Sequence, residues 1–238
     1  MLPFRDVNPT RNFPLVTISL IVINTLVFVY MIALQGEGGA RALDQFVKQA
    51  AILPSRFDNE SFDVILASGS WITIFTSMFL HWGPVHLLVN MLYLWIFGNN
   101  VEDIMGPFRF IVFYLLCGVV AAIAQLLLWK GDPTTPMLGA SGAIAGVLGA
   151  YLVRYPYARV DSCLFLFVFV TVVRLPAILV LAFWFVLQLF NGTISLVGQG
   201  EAGGGGVAWW AHIGGFLSGM LLIMLFAKRD RNPGSPVR

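Results

Sequence analysis

Two residues able to carry out acyl transfer lie in similar settings far apart in this chain. Ser141 sits in Gly139-Ala140-Ser141-Gly142 and His212 in Ala211-His212-Ile213-Gly214-Gly215, each at the start of an apolar segment. A serine hydroxyl attacks a carbonyl when a nearby imidazole takes its proton, so the pair is a minimal kit for nucleophilic hydrolysis. A second group stands upstream. His86 and Asn90 are four residues apart and share one helical face. A tetrahedral intermediate needs donors aimed at its oxyanion, and an imidazole N–H, the Asn90 amide and the Ser141 backbone N–H are of the right kind. Ionisable and polar side chains placed within a membrane are costly and mark function. The residues together predict a protease that cuts within the bilayer.

Composition sets the class of element that must hold them. Of 238 residues, 58% are hydrophobic and 11% charged, and the mean hydropathy is +0.82. Globular domains carry roughly 25% charged residues, so a soluble surface is excluded. The chain reads as an all-α membrane protein of one domain, 1–238. A net charge of +2 gives no argument for nucleic acid. Cys117 and Cys163 lie in apolar surroundings and read as packing residues; no metal or cofactor site is expected. The first apolar run lacks a convincing cleavage site and is not read as a signal peptide.

A helix needs about 20 residues to cross the hydrocarbon core. Six segments are expected to do so: Val16 to Leu34, Pro84 to about Val101, Phe110 to Trp129, Ser141 to about Tyr155, Leu175 to Phe190, and Trp210 to Ala227. Trp71 to Leu80 is too short and is placed at the interface, leading into the second helix. Ser162 to Val173 is placed at the inner interface. With residues 1–13 and the tail 228–238 inside, the inner segments hold Arg5, Arg11, Arg109, Arg154, Arg159, Arg174, Lys228, Arg229, Arg231 and Arg238. The outer segments hold Arg41, Lys48, Arg56 and Lys130, so the count is 10 against 4 of the chain's 14 basic residues. The positive-inside rule is met.

This topology starts the helices of Ser141 and His212 in the same leaflet. Ser141 precedes Arg154 by about 20 Å of helix, which puts the serine about 10 Å below the outer edge of a core about 30 Å thick. Gly142 and Gly146 on the one helix, and Gly215 and Gly219 on the other, form Gly-x-x-x-Gly faces that allow close approach.

At these motifs the chain closely resembles the rhomboid intramembrane serine proteases in their six-span bacterial form, from about Trp71 to Ala227. The resemblance rests on His86-x-x-x-Asn90, on Gly139 to Gly142, and on Ala211-His212 with its following glycines. Asn100-Val101-Glu102-Asp103 with Gly106 is similar to the family's turn between the second and third spans. The resemblance implies Ser141 as nucleophile, His212 as general base, and His86 and Asn90 with nearby backbone N–H groups as the oxyanion site. It implies single-span transmembrane substrates, and a bacterial inner membrane with both termini cytoplasmic. Ala145 departs from it, because some relatives carry at that place an aromatic stacked on the histidine. Packing alone is then expected to hold His212.

Other readings compete. Ala143 and the lack of a preceding strand reject a soluble nucleophile elbow at Ser141. An inactive rhomboid-like binder of membrane clients would typically lack the serine or the histidine. A transporter would show paired intramembrane charges or inverted repeats. His81 reads as a satisfied interfacial residue, Gln125 and Gln188 as packing amides, with a gate position near the outer end of the fifth span open to Gln188, and Gly203 to Gly206 as an outer linker. Trp184 and Phe185 are expected to face either lipid or the second span, at a gate.

Overall fold

The long apolar runs become helices in the computed structural model, which describes residues 1–58, 60–166, 169–197 and 208–227. The Gly203 to Gly206 run and the tail 228–238 lie outside the described residues. A short strand β1 (Leu2–Asp6) precedes α1 (Leu15–Ala50), α2 (Phe62–Ser68), α3 (Ile72–Thr76), α4 (Pro84–Tyr93), α5 (Asn99–Met105), α6 (Pro107–Leu128) and α7 (Ser141–Arg154). A hairpin of β2 (Arg159–Leu166) and β3 (Phe169–Pro176) leads to α8 (Ala177–Val197) and α9 (Trp209–Phe226). Among the described residues, α1, α6, α8 and α9 are long and apolar enough to cross a membrane. The stretch Ile72–Phe79 and the stretch Pro84–Met105 form a fifth candidate, bent by 95°. The helix α7 has 14 residues, or about 21 Å, which is shorter than a full span.

Three elements differ from the sequence reading. The first helix runs on past Leu34 to Ala50 but leaves helical geometry at Gly39, where φ is 70°. There the chain folds back: Tyr30 and Phe46 meet edge to face at 5.3 Å, whereas a straight helix would hold them about 24 Å apart. Leu43, Phe46, Val47 and Ala50 supply the apolar stripe that packs against Val27, Met31 and Leu80. The second is the Ser162 to Val173 stretch, placed at the inner interface from its sequence, which forms a β-hairpin where an all-α fold was expected. Ser162 pairs with Val173 and Leu164 with Thr171, the β-branched member of each pair lying on β3, and β2 pairs in turn with β1. Third, α8 continues to Val197, beyond the expected Phe190.

The sheet end of the bundle is fastened by charges. The Glu102 carboxylate accepts from the Val16 N–H at 2.9 Å, and from the Thr17 N–H and hydroxyl at 2.8 Å, capping the start of α1. Asp103 accepts from the Arg11 and Asn12 backbone N–H groups, each at 3.0 Å. Asp6 on β1 accepts from Asn100 Nδ2 at 2.8 Å and the Tyr151 hydroxyl at 2.9 Å. Burial pushes its carboxyl up to about 6, against those two hydrogen bonds. Gly106, with φ at 79°, turns the chain from α5 into α6, as the resemblance implied.

The core is α7, whose residues from Gly142 to Tyr151 are all buried. Its main partner is α9. A methyl placed on Gly215 would run into the Gly142 carbonyl, and one on Gly219 into the Gly146 carbonyl. On the other side, Cys117 of α6 packs against Gly146. The paired glycine faces therefore bring the two backbones into contact, as the small-residue spacing predicts.

Candidate active site

Two helix starts meet at the end of the bundle opposite the sheet. Ser141 opens α7 and His212 lies in the first turn of α9. The approach of these helices sets the two side chains facing each other, with Ser141 Oγ 2.8 Å from His212 Nε2. Because Ser141 begins its helix, its own N–H has no carbonyl four residues back within that helix. Gly139, at φ 132°, carries the chain into this turn. Its N–H is anchored on the Ser77 carbonyl at 2.9 Å.

His86 and Asn90 reach the same place from α4. Both line a cavity of about 430 Å³ together with Ser141 and His212. The His86 ring lies against Gly139, where an added methyl would sit 3.1 Å from Nε2. Asn90 Nδ2 donates to the His86 carbonyl at 3.1 Å. An amide carries two N–H donors, and this contact uses one of them. All four residues singled out by the sequence are thus brought to one cavity. His81 is 1% exposed, and its ring meets His86 edge-on at 5.0 Å. It is buried within the protein, with no hydrogen bond of standard geometry at either ring nitrogen.

The support of His212 differs from expectation. Packing alone does not hold it: Nδ1 lies 2.8 Å from Gln188 Oε1 on α8. Trp184, one turn earlier on α8, has its ring 5.8 Å from the imidazole, and Trp209 meets it edge-on at 6.3 Å. Trp184 and Phe185 also pack on Phe216 of α9, the latter stacked at 4.6 Å. Trp184 and Phe185 thus pack on α9, with Trp184 also lining the cavity shared with α4, while Phe183 and Phe190 are exposed. Gln125 behaves as a packing amide, its Oε1 accepting from the Ala211 N–H at 3.0 Å. That bond satisfies one donor of the α9 start beside His212. Trp184 and Gln188, four residues apart, lie on one face of α8.

A hydroxyl bonded to an imidazole, with helix-start N–H groups and amide donors around one cavity, can form and hold a tetrahedral oxyanion. Comparison with known proteins agrees with the motifs. Residues 68–229 match the Rhomboid domain family. The chain is 41% identical over 88 residues to the rhomboid protease GluP of Bacillus subtilis, which covers 37% of this chain and 17% of that protein. It is 37% identical over 87 residues to the human presenilin-associated rhomboid-like protein, mitochondrial, covering 35% and 22%. Over 159 residues it is 31% identical to RHOMBOID-like protein 6, mitochondrial, of Arabidopsis thaliana, covering 67% and 44%. The matched region therefore spans less than half the length of each of these relatives. With its apolar helices and a domain match across most of its length, this chain is a membrane protein of the rhomboid family.

Proposed function

We propose that this protein is an intramembrane serine endopeptidase that cuts transmembrane segments of other membrane proteins. The observation that carries the reading is the 2.8 Å contact of Ser141 Oγ with His212 Nε2 in a cavity among apolar helices. His212 takes the proton as Ser141 attacks the carbonyl carbon, then gives it to the leaving amine. His86, the Asn90 amide and the Ser141 N–H receive the oxyanion. Water repeats the attack on the acyl-serine, with His212 again as base. The chain makes six crossings, with α7 as a short one. The β1, β2 and β3 end faces inside, since Arg5, Arg154, Arg159 and Arg174 gather there. In a bacterial inner membrane this places both termini in the cytoplasm.

The recess of the serine follows from the length of α7. About 21 Å of helix separates it from the inner edge of a core about 30 Å thick, so the cut falls in the outer leaflet. A single-span substrate must unwind there, because an intact helix shields its carbonyls. Trp82, just before α4, and Val85 on α4 are both exposed and line the cavity together with Trp184 of α8, and substrate enters between α4 and α8. The inactive binding reading finds no observation in its favour, since both the serine and the histidine are present and bonded. The test is cleavage of a single-span substrate in liposomes beside Ser141→Ala. Cleavage by the wild type and none by the variant is expected; equal cleavage by both would sink the reading.

A further inference from the structure

The amide of Gln188 is oriented from both ends. Its Nε2 donates to the Trp184 carbonyl, 3.2 Å away and one turn back on α8. A carbonyl only accepts, so the NH₂ must point there and Oε1 must point at His212. That oxygen is itself only an acceptor, and at 2.8 Å from Nδ1 it requires Nδ1 to carry the proton. Nε2 then presents its lone pair to Ser141 Oγ, also at 2.8 Å. The opposite tautomer would put a hydrogen on Nε2, where the serine proton must go. Gln188 is 6% exposed, so bulk water has little access with which to replace this bond.

We propose that Gln188 is a positioning residue that locks His212 in the tautomer able to accept a proton, so that the site is competent only while α8 is docked on α9. The proposal rests on the reading of Ser141 and His212 as a catalytic pair. Ala145 supplies no ring from α7 to steady the imidazole. The steadying ring and the acceptor instead come from α8, through Trp184 and Gln188 on one face. Moving α8 away from α9 withdraws both supports together. Substrate entry past α8 and attack by Ser141 are therefore successive events: the helix must return before the histidine can act.

The experiment separates chemistry from entry by using a small fluorophosphonate on the full-length protein in detergent. Ser141 Oγ attacks phosphorus, fluoride leaves and the proton passes to His212, with no helix to admit. Folded Gln188→Leu should be labelled roughly fivefold to tenfold more slowly than wild type, the effect of losing one neutral hydrogen bond. Gln188→Glu keeps an acceptor oxygen in either protonation state and should stay within about threefold of wild type. A ¹⁵N spectrum of histidine-labelled wild type should show a His212 signal with Nδ1 protonated and Nε2 bare, which needs no variant to fold. Wild-type labelling by Gln188→Leu, or a spectrum with the proton on Nε2, would overturn the proposal while leaving the Ser141–His212 pair intact. Labelling of wild type that is absent, or that persists in Ser141→Ala, would instead remove the pair and the proposal with it.

Discussion

The two ends of the bundle solve the same problem, fixing polar groups among apolar helices, with different chemistry. At the sheet end the fastening is charged: Glu102 on the start of α1, Asp103 on residues 11 and 12, and Asp161 paired to Arg174 at 2.6 Å. At the serine end the groups in contact are a hydroxyl, imidazoles and amides, from Ser141, His212, His86, Asn90, Gln188 and Gln125. Desolvating an ion costs several kcal/mol even after relaxation, so a carboxylate beside His212 would be expensive at that depth. A neutral acceptor still selects a tautomer. The difference teaches that charge is kept at the sheet end, where Glu102 and Asp161 are buried but held by hydrogen bonds or an ion pair, while the proposed chemistry sits among neutral groups.

The largest expected effect tests the neutral end. His86→Ala and Asn90→Ala should each lower kcat by about 10²- to 10³-fold, with little change in melting temperature, measured by cleavage of a reconstituted single-span substrate. A loss of stability with normal kcat would make these residues packing groups and blur the contrast. Next comes the seam joining the ends. Gly219→Val drives a side chain into the Gly146 carbonyl and should cost about 1–3 kcal/mol or more of stability, with activity lost alongside. An unchanged melting temperature would show that α7 and α9 can separate freely.

The charged end should respond in the opposite sense. Glu102→Gln removes a charge that caps two N–H groups and a hydroxyl, and should lower stability by about 2 kcal/mol. Turnover per folded molecule should hold, as read by thermal unfolding beside an active-site titration. The last effect, at Asp6, depends on pH. Its folded-state carboxyl titrates near 6 against an ordinary 3.8, so the folded protein binds more protons between those values. Stability should then fall as pH rises from about 4 to 6. Asp6→Asn keeps an acceptor for Tyr151 and Asn100, and should flatten that slope. A slope unchanged in the variant would assign it to another group.

Much of this was legible in the sequence, for identifiable reasons. The long apolar runs and the glycine pairs are local signals, and they located the helices and the seam that joins Ser141 to His212. His86 and Asn90 were readable because one helical face carries both. The β-hairpin was hidden because Ser162 to Val173 is apolar on both sides of its alternation, which masks the two-residue period. The fold-back at Gly39 needed knowledge of what Phe46 and Val47 pack on. Gln188 was missed as a partner of His212 because its role depends on the rotation of α8 against α9, which tertiary packing alone decides.

The central claim is that Ser141 and His212 act as one unit, and a double-mutant cycle on substrate cleavage in liposomes tests it most directly. Ser141→Ala, His212→Ala and the double variant, each confirmed folded, would be compared with wild type for kcat. We expect each single change to remove at least about 10³-fold of the rate and the double change to remove no more than either alone, because a disabled pair has nothing further to lose. Effects that multiply, or full activity in either folded single variant, would contradict the account.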